Sequence, residues 1–475
     1  MHCHVSLIGR KDLNGEIYRQ LRRAIVADQL RSGDPLPSSR DLASSLGVSR
    51  TTVVVAYERL AGEGLVEARI GAGTFVAEHV VGARREATKG RADGMLRSRR
   101  LWESISLPTA FARPAQFDFR TGLPDASLFP HDDWRRLLAR SLRSDSDRAG
   151  AYGEPAGHRG LREAIARHIG ISRGVETSAD DITVTSGTQQ GLDVVARVLL
   201  SPGDRVAVED PGYAPPRMLF ESLGARLVGV PVDGSGLIVD ALPRQARLVC
   251  VTPSHQYPLG VPMARSRRQA LLAWAERNNA AIIEDDYDSE FRFGGRPIEA
   301  LQTLDTKGRV IYVGSFSKTM LPSLRLGFVA TPPSLRSAVH KAKYVTDWHT
   351  SIPVQAALAR FIDGGGFARH VRRVCRVYRV RHDIVTHALT HEFADQLEFV
   401  PSSTGLHVAA LARTASVDDI RTVVQRASEL GVEIHELSRY SVHSPSRPGL
   451  VVGYGAISTA HIEEGLHRLR SSFRC

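Results

Sequence analysis

Lysine is almost missing from this chain. Of 62 basic residues only Lys11, Lys89, Lys307, Lys318, Lys341 and Lys343 are lysine. Cysteine is as scarce: Cys3, Cys250, Cys375 and Cys475 lie far apart, without the spacing of a metal-ligand set or a redox pair. Four scattered thiols in 475 residues exclude a disulfide scaffold and fit a reducing cytoplasm. His2-Cys3-His4 offers too few ligands on a fraying terminus, so no metal site is expected. No apolar stretch approaches the ~18 residues of a membrane span, and the N-terminus lacks the apolar region of a signal peptide. A soluble, cytoplasmic protein without membrane partners is expected.

What is present is ordinary globular composition, 42% hydrophobic and 24% charged, in a chain too long for one core. Two or more domains are therefore expected. Roughly half of the net charge of +11 falls in the first hundred residues. That asymmetry fits a basic domain facing an anion such as nucleic acid, although a solvated basic surface would give the same total.

The first segment, 1–78, reads as helices followed by a ribbon. Ile17, Leu21 and Ile25 recur every four residues with Arg19, Arg22 and Arg23 between them, which predicts an amphipathic helix. Gly33-Asp34-Pro35-Leu36-Pro37 breaks the chain. Ser38 then caps a short helix with Leu42 and Leu46 inward, and Gly47 ends it. Ser49 caps a further helix running to about Glu63, with Val53, Tyr57 and Leu60 on one face. Helices joined by a short glycine-containing turn are the helix-turn-helix pattern. Arg50, Thr51 and Thr52 in the first turn of the later helix suit contact with bases and phosphates. Leu65–Arg69, Gly71-Ala72-Gly73 and Thr74-Phe75-Val76 read as a two-stranded wing with a glycine tip. Residues 79–116, with Arg84-Arg85, Arg91 and Arg97-Ser98-Arg99-Arg100, read as a basic linker.

From Phe117 onward short apolar runs alternate with helical stretches. Ile182–Val184, Arg205–Val208, Leu248–Val251, Ala281–Glu284 and Val310–Val313 predict buried strands of a largely parallel α/β sheet. In such sheets ligands sit at the carboxyl ends of the strands. There the chain places Thr185-Ser186-Gly187-Thr188, which suits a phosphate, and Glu284-Asp285-Asp286-Tyr287-Asp288. Asp285 suits a pyridinium nitrogen and Tyr287 a ring hydroxyl, while an acidic cluster could equally hold a metal ion. Next come Ser315-Phe316-Ser317-Lys318 and then Arg325, two hydroxyls, an amine and a fixed cation. A lone lysine at the end of a buried strand suits a Schiff-base nucleophile.

Together these strings resemble known families. LPSSRDLA (Leu36–Ala43), GVSRTTV (Gly47–Val53), YERLAGEGLVEAR (Tyr57–Arg69) and GAGTFV (Gly71–Val76) resemble the GntR winged-helix regulators. That resemblance implies contact with double-stranded promoter or operator DNA through Arg40, Ser49, Arg50, Thr51, Thr52 and the Gly71–Gly73 wing. The body, 117–475, resembles fold type I enzymes dependent on pyridoxal 5'-phosphate (PLP), the aspartate aminotransferase superfamily, with a small α+β C-terminal subdomain. The resemblance implies that Lys318 forms the internal aldimine, Asp285 pairs with the ring nitrogen and Tyr287 with the phenolic oxygen. It further implies that Gly187, Thr188, Ser315, Ser317 and Arg325 hold the phosphate and that Tyr213 lies against the ring. Tyr152 would reach the phosphate of the neighbouring subunit in a homodimer. The superfamily's Asn slot holds Tyr257 here, leaving His255 or Gln256 to substitute, and its carboxylate-gripping Arg slot is matched to Leu450, with Arg439 and Arg447 nearby.

Head, linker and body in that order resemble the MocR subfamily of GntR regulators. The strings Thr252–Gln256 and Glu284–Phe291 carry the same likeness. It implies a head-to-tail homodimer that senses PLP, or a small amine or amino acid bound to it, and adjusts promoter binding. An active aminotransferase with an appended DNA-binding domain is the second expectation, and a body that binds no cofactor the third.

Overall fold

The computed structural model describes residues 12–27, 29–69, 71–77, 96–105, 115–144, 151–294, 299–441 and 447–473. The chain divides into two units, Met1–Arg99 and Arg100–Cys475. Most of the expected linker lies outside the described residues. Within it a short helix, Arg100–Ser104, groups with the second unit.

In the first unit the caps act where the sequence places them. Helix Leu13–Val26 buries Ile17, Leu21 and Ile25. Ser38 accepts a hydrogen bond from the Asp41 N–H and opens helix Ser39–Leu46, which Gly47 ends at φ 64°. Ser49 accepts from the Thr52 N–H and opens helix Arg50–Gly62. The three helices close on one apolar core that includes Leu21, Leu42, Val53 and Leu60. Strands β1 (Pro35–Leu36), β2 (Val66–Arg69) and β3 (Gly73–Val76) form an antiparallel sheet in the order β1-β3-β2. The wing was expected; the pairing of β1 with it was not, because Pro35 reads as a chain break.

The second unit opens with β4 (Phe117–Asp118). Its main sheet comprises β5 (Ile182–Thr185), β6 (Arg205–Asp210), β7 (Arg226–Asp233), β8 (Gly236–Leu237), β9 (Ala246–Val251), β10 (Ala281–Asp286), β11 (Val310–Ser315) and β12 (Gly327–Ala330). Their order is β5-β12-β11-β10-β9-β6-β7-β8. β11, β10, β9, β6 and β7 are mutually parallel, as buried strands flanked by helices should be. β12 alone runs against both of its neighbours, so its first residue, Gly327, pairs with Ser315 on one side and with Thr185 on the other. That inversion brings three loops distant in sequence to one edge.

A smaller subdomain follows. β13 (Leu397–Phe399), β14 (His407–Ala412), β15 (Val432–Glu433), β16 (His435–Glu436) and β17 (Gly449–Gly453) include a four-stranded sheet ordered β13-β14-β17-β16. β15 instead pairs in parallel with β4, tying the start of this unit to its end. The long helix Gly366–His391 buries Val374, Tyr378 and Val385 in the core under these strands.

Candidate functional site

Lys318 follows β11 and points its amine at the carbonyl oxygen of Gly122, to which it donates. Burial holds the amine below its ordinary range, with Asp288 and Asp285 acting in the opposite sense. A lysine so placed has a larger neutral, nucleophilic fraction than a surface one.

β10 delivers three acids in a row, and strand alternation separates them. Glu284 is consumed by the backbone, accepting from the N–H groups of Leu301 (2.8 Å) and Gln302 (2.9 Å). Asp286 pairs with Arg173 at 2.8 Å and accepts from the Tyr312 hydroxyl at 2.6 Å. Asp285 is different. It is buried, its Oδ1 has no hydrogen-bond partner, and burial followed by repulsion from Asp286 pushes its carboxyl up to about 7. Glu284 and Asp286 are thus engaged within the fold, whereas Asp288 of the same string lies with buried His255 and His407, their ligand atoms all within 4.8 Å of one another.

The phosphate loops meet where β12 lies between β5 and β11. Gly187 is the N-cap of helix Thr188–Leu199, at φ 80°. A methyl group on Gly187 would come within 2.7 Å of Arg325 Nη2, so the guanidinium lies directly over bare backbone. Arg325 donates to the Ser186 carbonyl at 2.7 Å and is otherwise exposed. Ser315 Oγ accepts from the Ser317 N–H at 3.0 Å, closing a tight turn before the lysine. A helix N-terminus, a turn rich in hydroxyls and an overlying arginine form an anion cradle.

The wall beyond the lysine is aromatic. Tyr213, partly exposed, stands edge-on to Tyr257 at 5.4 Å, and Tyr257 stands edge-on to Tyr287 at 5.9 Å. Tyr287 Oη lies 3.0 Å from the carbonyl oxygen of His255 and 3.0 Å from its Nδ1. The hydroxyl of Tyr257, in the Asn slot, is turned away to Thr121 (2.6 Å) and Tyr440 (3.2 Å). Gln256 is spent on the backbone, donating to Pro211 O and Tyr257 O and accepting from Leu259 N–H. Of the two substitutes considered for the missing asparagine, only His255 touches Tyr287. Thr121, Gly122 and Tyr440 carry no signal in the sequence, and Asp288, behind His255, stands in the acidic string without a role of its own.

Leu450 points into the subdomain core with Val408 and Ala410. The β17 residue packed beside Tyr257 and Tyr440 is its neighbour, Val451. Arg439 and Arg447 are both exposed. Tyr152 is also exposed and stacks on Trp348 of its own chain at 4.2 Å.

The expected DNA-contacting residues of the first unit are mostly exposed. Arg40, Ser49, Arg50 and Thr51 are exposed around the start of helix Arg50–Gly62, as are Gly71 and Gly73 in the wing. Arg50 Nε donates to Ser39 Oγ at 3.3 Å, and Thr52 Oγ1 lies 2.8 Å from Ser49 Oγ. Thr52 therefore completes the cap, leaving Arg50 and Thr51 as the outward groups of that turn.

The residues of the body fit pyridoxal 5'-phosphate. The buried, unpartnered Asp285 oxygen matches a ring nitrogen that carries a proton, the cradle over Gly187 matches a phosphate, and Lys318 matches an aldehyde. Fold and site thus define a class: a winged-helix DNA-binding head followed by an aminotransferase body.

Comparison with known proteins agrees. Residues 117–466 match the family "Aminotransferase class I and II", and residues 13–76 match "Bacterial regulatory proteins, gntR family". The probable rhizopine catabolism regulatory protein MocR of Rhizobium meliloti is 39% identical over 97% of this chain and 94% of its own length. The pyridoxine biosynthesis regulator PdxR of Corynebacterium glutamicum is 33% identical over 93% of this chain and 91% of its own. Among solved structures, kynurenine aminotransferase of Pyrococcus horikoshii superposes with a TM-score of 0.71 at 28% identity, covering 80% of this chain and 95% of its own. The chain belongs to the MocR-type transcription regulators of the GntR family.

Proposed function

We propose that this regulator binds PLP through a Schiff-base link to Lys318 and reads a small amine, an amino acid or PLP itself as its effector. The observation that carries the reading is a lysine that follows β11, its amine held below the ordinary range by burial, together with a buried aspartate oxygen that lacks a partner. PLP would supply an electrophilic carbon and an electron sink. Asp285 would keep the ring nitrogen protonated, Tyr287 would meet the ring oxygen, and Tyr213 would lie against the ring. Gly187, Thr188, Ser315, Ser317 and Arg325 would hold the phosphate. Arg40, Ser49, Arg50, Thr51, Thr52 and the Gly71–Gly73 wing would face promoter DNA. The names of two relatives point to rhizopine catabolism in one case and pyridoxine biosynthesis in the other, which supports either an amine or the cofactor as the signal. A head-to-tail homodimer, with Tyr152 turned to the neighbouring subunit, would let an effector that favours one arrangement of heads shift DNA affinity.

The test is the visible absorption spectrum of purified protein with added PLP, followed by a panel of amines. A visible band that is lost in Lys318→Ala supports the cofactor site, and a further change with one amine names the effector class. No band would overturn the reading. The second reading, a working aminotransferase, draws on the complete cofactor set. Against it, β17 offers apolar Val451, not a cation, beside Tyr257. Steady turnover of an amino acid and a 2-oxo acid would establish it.

A further inference from the structure

Away from the cofactor site, the long helix Gly366–His391 breaks a charge pattern kept elsewhere in the body. On other helices an exposed arginine faces an acid one turn away: Arg135 with Asp132, Arg159 with Glu163, Arg197 with Asp193, Arg421 with Asp418 and Arg468 with Glu464. Pairs of that spacing stabilise a helix. From Gly366 to His382 the long helix has no acid, and its first is Asp383. Arg369, Arg372, Arg373, Arg376 and Arg379 are all exposed along that stretch. Their positions, i, i+3, i+4, i+7 and i+10, put them on one face, a stripe of ~15 Å at the helical rise.

Among the described residues none of the five is in an ion pair. Arg369 donates to the Gly364 carbonyl at 3.3 Å, and Arg373 donates to the Leu128 carbonyl and lies 3.4 Å from His370 Nδ1. Acids on adjoining segments are turned elsewhere. Glu290, whose carbonyl accepts from Cys375, faces His168, and Asp363 pairs with Arg167. Like charges at i, i+4, Arg369 with Arg373 and Arg372 with Arg376, destabilise the helix, and Arg369 in its first turn opposes the macrodipole. The stripe works against the helix that carries it, the pattern expected of a surface kept for an external anion.

We propose that this arginine stripe is a second DNA-contacting surface, carried by the body, that lies against the phosphate backbone of duplex DNA. Guanidinium groups meet phosphate oxygens through paired N–H donors and stay charged at any working pH. The stretch holds no Asn, Gln, Ser or Thr, and an all-arginine face suits phosphates whatever the base sequence. Head and body are one chain, so a head on DNA raises the local concentration of duplex around the body and populates a contact that is weak by itself. The inference rests on the DNA-binding reading of the head.

The experiment measures binding of the full-length protein to a fluorescent, random-sequence duplex of about 60 base pairs over a salt series. Combining Arg372→Gln, Arg376→Gln and Arg379→Gln is expected to weaken binding about tenfold or more at low salt. The slope of log affinity on log salt should fall by about two to three phosphate contacts. The melting temperature should hold or rise, since like-charge pairs are removed. Lysine at the same three positions keeps the charge and should keep the slope, with a loss of at most about threefold in affinity. An unaltered slope in the glutamine variant would overturn the proposal, and an equal loss in the lysine variant would overturn it by marking a structural role. An unaltered DNA slope with lost retention on immobilised poly-glutamate would give the stripe to an acidic protein and overturn it too. Should the triple variant not fold, Arg376→Gln alone, expected to remove about one contact, decides. No duplex binding by the wild type would overturn the reading of the head as well, a result distinct from an unaltered slope in the variant.

Discussion

Along β10, Glu284, Asp285 and Asp286 are all buried, yet only Asp285 keeps an oxygen unpaired. Its carboxyl is raised in the folded chain to about 7, against ~3.9 when unfolded. The folded state therefore holds the proton more tightly, and between those values stability falls as pH rises. Full stability from this group is present below the unfolded value and is lost through the folded one. Asp285→Asn is expected to flatten the decline in melting temperature of the cofactor-free protein from pH 5 to pH 8, and PLP should flatten it in wild type. An unchanged slope in the variant would mean that Asp285 is not the group being titrated. Lys318, Asp285 and Tyr287 were legible as candidates because each lies at or beyond the end of an apolar run; the structure places Asp285 within β10, Tyr287 directly after it and Lys318 shortly after β11. The division of labour among adjacent acids was not, since side-chain alternation fixes it only once the strand's faces are assigned. His255 was considered only as a stand-in for asparagine. Its partner Asp288 was legible only as a member of the acidic string, because the sequence does not show which histidine it faces.

Among the elements, the five expected parallel strands are present with ends extended by one to two residues, and the head's caps fall on Ser38, Gly47 and Ser49 as the sequence indicates. Strand direction was not legible: Gly327–Ala330 is another short apolar run, and nothing in its composition says that it runs backwards. The reversal puts Arg325 over Gly187, where the backbone φ of 80° favours glycine and an added methyl group would displace the guanidinium. Gly187→Ala adds a methyl group against the guanidinium at a backbone angle that favours glycine. It is expected to weaken PLP binding tenfold or more, as read by absorbance titration, while the head's DNA binding is retained. Helix Arg50–Gly62 carries the complementary prediction. Arg50→Ala should weaken DNA binding and shallow the dependence of affinity on salt by about one phosphate contact, because one fewer counterion is released. Unaltered affinity and slope would show that this turn does not face DNA.

At the level of the whole molecule, the head has its own core and its own small sheet, and the body has others. Cofactor chemistry and DNA affinity are therefore expected to separate under mutation. Lys318→Ala should abolish the visible band yet bind operator DNA, with any change confined to the response to effector, as electrophoretic mobility with and without PLP would show. Loss of all DNA binding in a folded Lys318→Ala protein would contradict that independence.

The inverted strand also limits how this gene can change. The segment from Phe316 to Leu326 leaves the end of β11 and re-enters the sheet at Gly327, paired back onto Ser315. Both ends are pinned to the same rung of the ladder, and Arg325 must land over a glycine contributed from far upstream. Substitutions within the segment are open to selection. A codon gained or lost there would move the arginine off its mark without touching the lysine, so insertions and deletions should be purged from this stretch while they accumulate in the linker.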